Sequence, residues 1–213
     1  IILIDYAGFN LRLAKWASKQ GYKVVYYISP KLWAWNSRRA YKIKRYVDHL
    51  FAIMPFEPKF YKQFNYANVS YVGNPVVDAI ASFTPETNFK ESLKIKTDSK
   101  IIAVLPGSRK QELQYILPVI TEVISRNPEF TYLVAAVSNL DEHLYDDLRP
   151  MGNVKLITGH TYNILAIADA ALVTSGTATL ETGLWMVPQV VLYKGNSITM
   201  FIAKMLVKIK YIS

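Results

Sequence analysis

The feature that most constrains this chain is an apolar run that stops at a Pro-Gly turn and is followed by a helical pattern. The run covers Ile101 to Val104 and ends in the segment Leu105 to Arg109. A short apolar run bounded by Pro and Gly is typical of a buried strand that enters a tight turn. From Gln111 to Ile124 apolar residues then recur at helical spacing. The sequence therefore predicts a strand, a turn and a helix, which is the repeating unit of α/β folds.

This turn is a candidate anion site. The start of a helix presents unpaired N–H groups and the positive end of the helix dipole. Gly107 lets the backbone approach a ligand closely, Ser108 follows it, and Arg109 offers a forked, permanent charge suited to phosphate. The alternative is an ordinary strand-to-helix turn with a surface arginine, and these residues alone leave both interpretations open.

A second turn of the same kind follows the apolar segment 171–174. Its hydroxyl-bearing and small residues are Ser175, Gly176, Thr177, Ala178 and Thr179. Hydroxyls and N–H groups at a helix start can hold a pyrophosphate, and Glu181 on the first turn can accept hydrogen bonds from ribose hydroxyls. The alternative is a Ser or Thr N-cap with small residues packed close to a sheet. Neither turn has the Gly-Lys-Ser/Thr of a Walker A loop, and no GxGxxG occurs.

Strand and helix patterns alternate along the whole chain, which predicts an α/β fold with two parallel, Rossmann-like sheets. Residues 81–99 lose the apolar pattern and contain Pro85 together with alternating lysines and acids. We therefore predict one domain over residues 1–80, a linker over 81–99 and a second domain over 100–213.

The first predicted strand, Ile1 to Ile4, ends at Asp5. The C-terminal ends of strands in open α/β sheets face the ligand crevice, so Asp5 is a candidate for chemistry, although a turn or cap residue is the common alternative. Asn10 is predicted to cap a helix that runs through Lys19.

Positive charge is concentrated in one part of the chain. The net charge is +9, and residues 31–62 carry eight Lys/Arg against two acids. Trp33 and Trp35 are expected to be exposed, and they precede a predicted basic helix that contains Arg38, Arg39 and Lys42. A basic patch beside aromatic residues suits an anionic surface, either a membrane or a nucleic acid, and a solvated helix face is the alternative. A second patch is predicted on an apolar-basic helix over about 197–210.

No metal centre or cofactor is expected. The chain has no cysteine, which excludes disulfides and thiolate metal sites, and its three histidines lack metal-ligand spacing. No apolar run reaches transmembrane length. The chemistry that remains is the handling of phosphate and sugar without a metal.

Six segments form a recognisable set: Asp5 to Asn10, Ile28 to Trp35, Pro55 to Glu57, Val72 to Pro75, Leu105 to Arg109 and Ser175 to Glu181. As a set, they resemble the lipid-A-disaccharide synthase family. The resemblance covers the whole chain in one order and implies that it is the middle of a longer protein, with both domains incomplete. Two positions depart from the family pattern: Gly8 replaces a common second Asp, and Asn74 stands where many members have His.

The resemblance implies an inverting, metal-independent glycosyltransferase of the glycosyltransferase-B fold in bacterial lipopolysaccharide synthesis. It would join UDP-2,3-diacylglucosamine to 2,3-diacylglucosamine 1-phosphate, giving lipid A disaccharide 1-phosphate and UDP. Asp5 is then the expected base, and Arg109 with the two turns stabilises the departing UDP. The enzyme is expected in the cytoplasm, peripheral on the anionic inner face of the inner membrane, with no nucleic acid as partner.

Two other functions stay open at this point, and the oligomeric state is undetermined. One is a different UDP-sugar enzyme of the same fold, such as an epimerase. The other is a basic nucleic-acid-binding module that uses residues 31–62.

Overall fold

A computed structural model describes residues 1–194, with the exception of the Trp35 side chain. The helix predicted over about 197–210, with its basic patch, lies outside the described residues. The chain divides into two compact units, with the boundary between Asp78 and Ala79.

The first unit is a parallel sheet of four strands in the order β1-β2-β3-β4. The strands are β1 (Ile2–Ile4), β2 (Val25–Tyr27), β3 (His49–Ala52) and β4 (Val69–Tyr71). The helices are α1 (Ala7–Lys19), α2 (Leu32–Trp35), a 3-10 helix (Ser37–Arg39), α3 (Ala40–Tyr46), α4 (Glu57–Lys62) and α5 (Pro75–Ala81), whose last three residues belong to the second unit. Leu3, Tyr26 and Leu50 are aligned across three neighbouring strands and are buried, so they form the centre of this core.

The second unit is a parallel sheet of five strands in the order β7-β6-β5-β8-β9. The strands are β5 (Ile101–Leu105), β6 (Thr131–Ala136), β7 (Val154–Thr158), β8 (Ala170–Thr174) and β9 (Gln189–Leu192). The helices are α6 (Phe89–Ser92), α7 (Lys110–Arg126), a 3-10 helix (Glu142–Tyr145), α8 (Thr161–Ile167) and α9 (Thr177–Leu184).

Strand β5 is buried on both faces, as expected for a central parallel strand. Ala103 and Leu105 pack into one hydrophobic cluster, whereas Val104 packs into another with Leu113 of α7. Alternate side chains of a strand point to opposite faces, so the two clusters lie on the two sides of the sheet. The uninterrupted apolar run that predicted this strand follows from this double burial.

The strand order places a topological switch point at β5. From β5 the chain proceeds to β6 and β7 on one side, and then crosses to β8 on the other side of β5. The connections that follow β5 and β8 therefore leave the sheet in opposite directions. In open α/β sheets the crevice that opens here, at the carboxyl ends of the strands, is the place where ligands bind.

The structure differs from the sequence analysis at the start of α1. The helix begins at Ala7, and Asn10 lies in its first turn, so the prediction that Asn10 is the N-cap is wrong. Its side-chain Nδ2 instead donates to the carbonyl oxygens of Ile4 and Asp5, at 2.9 and 2.8 Å. An asparagine side chain can form hydrogen bonds with several nearby backbone groups. Which of these groups Asn10 reaches depends on the position of the preceding strand.

Residues 81–99 contain α6 and contribute to the second unit. Phe89 is buried in the cluster that also holds Leu105, and Glu86 bonds Asn163 of α8 through both its backbone and its side chain. These contacts attach the segment to the second unit.

Within residues 1–194, no helix is both long enough and apolar enough to cross a membrane.

Candidate functional site

A cavity of about 340 Å³ lies at the switch point of the second unit, between the turns that follow β5 and β8. Eight of the nine residues predicted to contact a nucleotide diphosphate line it. They are Gly107, Ser108, Arg109, Ser175, Gly176, Thr177, Ala178 and Glu181. The structure thus brings together two turns that lie about 65 residues apart in the chain, because β5 and β8 are neighbouring strands.

Thr179 is the exception. It is 5% exposed and does not line the cavity. Its hydroxyl donates to the carbonyl of Gly176 at 2.7 Å, inside the first turn of α9. The structure therefore gives the Thr179 side chain a role in holding the turn.

The first turn needs glycine at position 107 for two reasons. The φ of Gly107 is +106°, a region that side-chain-bearing residues rarely adopt. A Cβ at this position would also lie 2.8 Å from Oε2 of Glu112, so the end of that side chain would have to move away from its contacts with Arg109 and Ser108. The glycine thus lets the backbone turn tightly against the beginning of α7.

Arg109 and Glu112 form an ion pair at the mouth of this turn. The Arg109 side chain is 81% exposed, and its Nη1 lies 2.8 Å from Oε1 of Glu112. The backbone N–H of Ser108 points to the other carboxylate oxygen, at 3.4 Å. A guanidinium and a backbone N–H at a helix start are thus directed at one anionic group. The carboxylate oxygens stand where phosphate oxygens can bind the same donors.

The second turn is also open at its helix start. Gly176 has φ +155° and ψ −153°, a combination that is almost confined to glycine. Among the described residues no side chain caps the N-terminus of α9, so the turn can donate N–H groups to a ligand. The N–H of Ser175 bonds the carbonyl of Leu192 at 3.0 Å and so belongs to the sheet.

Glu181 is held in place by a tyrosine from another helix. The hydroxyl of Tyr162 donates to Oε1 of Glu181 at 2.8 Å. Burial, together with this bond to a carboxylate, raises the pKa of Tyr162 to about 12, so the hydroxyl stays protonated and remains a donor. The second carboxylate oxygen of Glu181 can accept a bond from a sugar hydroxyl in the cavity.

Three polar residues that line the cavity were not predicted: Glu112, Thr161 and Thr174. Glu112 follows Arg109 by three positions, so helical spacing could have indicated the pair. Thr174 ends β8, and its hydroxyl is buried with no hydrogen-bond partner in the described part of the chain. Thr161 comes from the start of α8, and nothing local in the sequence connects it with the two turns.

The first unit presents Asp5 at the end of β1, in a strained segment. Asp5 and Tyr6 have φ values of +45° and +41°, and Ile28, at the end of the neighbouring strand, has +62°. Such values are costly for residues other than glycine, most of all for a β-branched one, and they concentrate at functional sites.

The backbone N–H and the backbone carbonyl of Asp5 both form hydrogen bonds. Its N–H donates to the carbonyl of Tyr27 at 3.0 Å, and its carbonyl accepts bonds from Asn10 and from the Tyr26 hydroxyl. Burial and the nearby Asp5 carboxylate raise the pKa of Tyr26 to about 12. Asp5 itself is exposed, so its carboxylate is available at the carboxyl edge of the sheet.

The aromatic-basic segment differs from the sequence interpretation at Trp33. This side chain is half-buried and packs edge-on against Phe56, with ring centroids 5.0 Å apart. Leu32 beside it is fully buried and fixes the segment to the core. Arg38 and Lys42 are exposed and Arg39 is half-buried, while the side chain of Trp35 lies outside the described part.

No group of three or more metal-ligating side chains comes together within residues 1–194. Among the described residues that line the cavity, Arg109 is the one with a cationic side chain, and the two turns add neutral backbone N–H donors.

The family model of lipid-A-disaccharide synthetase matches residues 1–213. Curated relatives named lipid-A-disaccharide synthase are 37% identical over 218 residues in Coxiella burnetii (strain Dugway 5J108-111) and 40% identical over 220 residues in Syntrophus aciditrophicus. Each alignment covers all of this chain and 57% of the relative, so the chain spans somewhat more than half of their length.

Solved structures share the fold at low sequence identity. The UDP-GlcNAc 2-epimerase from Neisseria meningitidis bound to UDP-GlcNAc has a TM-score of 0.65 at 18% identity, covering 95% of this chain and 61% of its own. The pneumococcal O-GlcNAc transferase GtfA in complex with UDP and GlcNAc has a TM-score of 0.50 at 13% identity, covering 92% and 42%. These likenesses confirm the predicted α/β fold of the glycosyltransferase-B type.

Proposed function

The chain belongs to the lipid-A-disaccharide synthetase family, and on this premise we propose that the full-length protein is a glycosyltransferase of lipid A biosynthesis. Its donor is UDP-2,3-diacylglucosamine and its acceptor is 2,3-diacylglucosamine 1-phosphate. The products are lipid A disaccharide 1-phosphate and UDP, with inversion at the anomeric carbon.

The observation that carries this proposal is the cavity at the switch point, where both helix-start turns and Arg109 converge. A nucleotide diphosphate needs several donors close together, and a turn at each of two neighbouring strands supplies them. Glu181, held by Tyr162, is placed to accept bonds from the ribose hydroxyls.

In the reaction the acceptor hydroxyl attacks the anomeric carbon as the bond from that carbon to the UDP oxygen breaks. Negative charge then gathers on the departing diphosphate. Arg109 and the N–H groups of the two turns stabilise this charge more strongly than that of the intact donor. To do so, Arg109 exchanges the Glu112 carboxylate for phosphate oxygens.

The proton of the attacking hydroxyl goes to a base, and we assign this role to Asp5. Its carboxylate is exposed at the end of β1, and its backbone is fixed by Tyr26 and Asn10. A fixed backbone limits the positions that the carboxylate can take, which favours proton transfer from a bound hydroxyl in the transition state.

A second candidate function is epimerisation of a UDP-sugar, which the similarity of fold to UDP-GlcNAc 2-epimerases favours. Incubation of the full-length protein with UDP-diacylglucosamine and phosphorylated acceptor separates the two. A transferase forms a disaccharide and one UDP per bond made, and it needs the acceptor. An epimerase changes the donor without the acceptor, and this outcome would overturn the proposal.

We also propose that the segment with Trp33, Trp35, Arg38, Arg39 and Lys42 seats the enzyme on the anionic inner face of the membrane. Each Lys or Arg near an anionic leaflet contributes about 1 kcal/mol. Charge reversal at the three basic residues should therefore lower binding to anionic vesicles and leave UDP affinity unchanged. Equal binding of the unchanged protein to neutral and anionic vesicles would contradict this role.

A further inference from the structure

A groove of about 540 Å³ lies between α1 and α3 in the first unit, and five cationic side chains line it. Arg12 and Lys15 come from α1, while Arg39, Lys42 and Arg45 come from the 3-10 helix and α3. In the part of the chain that the structure describes, no Asp or Glu lines this groove.

The groove is positive because none of the acids of this unit lines it. Residues 1–78 contain twelve Lys/Arg and only four Asp/Glu. Glu57 is buried, and Asp48 bonds the side chain of Lys23 and the backbone of Val24. Among the described residues, Arg12, Lys15 and Lys42 make no ion pair. Like charges in a concave surface repel one another and concentrate a positive potential, which an anionic ligand relieves.

The groove includes the start of α1, the helix that follows the candidate base in the chain. Ala7 and Gly8 line the groove, and they follow Asp5 by two and three residues. The first turn of α1 contains no acid, and its N-terminus has no side-chain cap in the described structure. Since Asp5 is exposed only two residues before Ala7, a ligand whose anionic group lies among the cations is close in the chain to the carboxyl end of β1.

We propose that this groove binds the phosphate of the acceptor sugar and thereby places the attacking hydroxyl at Asp5. The proposal rests on the proposed transferase function and adds to it the subsite that selects a phosphorylated acceptor. A phosphomonoester carries close to two negative charges and several acceptor oxygens, which suits a site with several Arg and Lys donors. A phospholipid headgroup also carries a phosphate. The experiment must therefore distinguish binding of the acceptor phosphate from binding of a lipid headgroup.

The test is the double variant Arg12→Ala/Lys15→Ala in the full-length protein, because these two residues belong to the groove and lie outside the segment proposed for the membrane. Lys19→Ala is the matched control, since Lys19 is exposed on the same helix and does not line the groove. The double variant should raise KM for the phosphorylated acceptor about tenfold or more, as expected for the loss of charged hydrogen bonds. In the double variant the KM for the UDP-sugar and the binding to anionic vesicles should stay unchanged. In Lys19→Ala the KM for the acceptor, the KM for the UDP-sugar and the vesicle binding should all stay unchanged.

An acceptor analogue without the phosphate makes the test specific. The unchanged protein should prefer the phosphorylated acceptor, and the double variant should lose most of that preference. If vesicle binding falls while the acceptor KM in detergent stays unchanged, the groove binds a lipid headgroup and the proposal is overturned. If neither quantity changes, the groove binds no phosphate and the proposal is equally overturned.

The experiment distinguishes an error in the proposed acceptor-phosphate site from an error in the proposed transferase function. Absence of transfer by the unchanged protein contradicts the function, and calorimetric binding of the phosphorylated acceptor without donor still decides whether Arg12 and Lys15 hold it. The melting temperature of each variant reports folding. If the double variant does not fold, Arg12→Gln and Lys15→Gln are measured singly, with the same expected and contradicting results.

Discussion

Nη1 of Arg109 lies 2.8 Å from Oε1 of Glu112, within the first turn of α7 and in the wall of the cavity at the switch point. The same carboxylate approaches the N–H of Ser108 through its other oxygen. A diphosphate that binds here must take over donors that an internal anion already uses. The affinity that we propose for UDP therefore depends on the balance between two competing sets of charged hydrogen bonds.

Replacement of Arg109 should lower turnover strongly. We expect Arg109→Ala to lower kcat on the order of 10²-fold, as for the loss of one donor to a developing negative charge. Arg109→Lys should restore little of it, because a point charge does not reproduce the forked guanidinium. Steady-state kinetics of the full-length protein measure this, with Lys110→Ala, an exposed neighbour outside the cavity, as the control. Activity of Arg109→Ala within a few-fold of the unchanged protein would contradict the assignment.

Replacement of Glu112 should act in the opposite direction on UDP binding. Glu112→Gln removes a negative charge a few ångströms from the diphosphate position, so UDP should bind about fivefold more tightly at low salt. The gain should shrink as salt rises. Calorimetric titration measures it, and Glu122→Gln on the same helix, exposed and paired with Arg126, is the control. Weaker binding of UDP by Glu112→Gln would show instead that the carboxylate orients Arg109 for its ligand.

Asp5→Asn should separate chemistry from binding. The change removes basicity, so kcat should fall by about 10²-fold or more, while the UDP affinity of the second unit stays unchanged. Asparagine tolerates a positive φ, and the bonds from Tyr26 and Asn10 go to the backbone of residue 5, so the melting temperature should change little. A marked fall in melting temperature with unchanged kcat would identify Asp5 as a structural residue.

The buried carboxyl of Glu57 should make stability depend on pH. Glu57 is 1% exposed and accepts bonds from the backbone N–H groups of Ile53 and Met54, and burial raises its pKa above the usual value of 4.5. The folded protein then holds a proton that the unfolded chain has released. The contribution of Glu57 to the free energy of unfolding is therefore lost as pH rises from about 4.5 through the raised pKa.

Urea unfolding of the unchanged protein and Glu57→Gln between about pH 4 and pH 7 checks this sign. Glu57→Gln lacks the titration, so the stability of the unchanged protein should fall relative to that of the variant as pH rises. The carboxyls of Asp48 and Asp169, whose pKa values are lowered by backbone hydrogen bonds, are present in both proteins and cancel in the comparison. Parallel stability curves would contradict the prediction.

Helical spacing and turn chemistry do not determine where α1 begins or how exposed Trp33 is, because both depend on neighbouring elements. The pattern of α1 does not indicate where the helix begins. Asn10 bonds the end of β1, and this is decided by the left-handed backbone of Asp5 and Tyr6. Likewise, the sequence does not determine how exposed a tryptophan before a basic helix is. In the structure the ring of Phe56, from the loop after β3, covers part of Trp33.

By itself the sequence determined the strand, turn and helix at Leu105 to Arg109 and at Thr174 to Glu181, because those signals come from residues adjacent in the chain. Tertiary structure decided which distant groups meet: Tyr162 with Glu181, Thr161 with both turns, and Arg12 with Lys42 across the groove. Strand order and helix packing bring these groups together. Strand order and helix packing are set by the burial of apolar surface, to which many residues contribute. The sequence around the polar residues therefore carries no local pattern that shows which of them will meet.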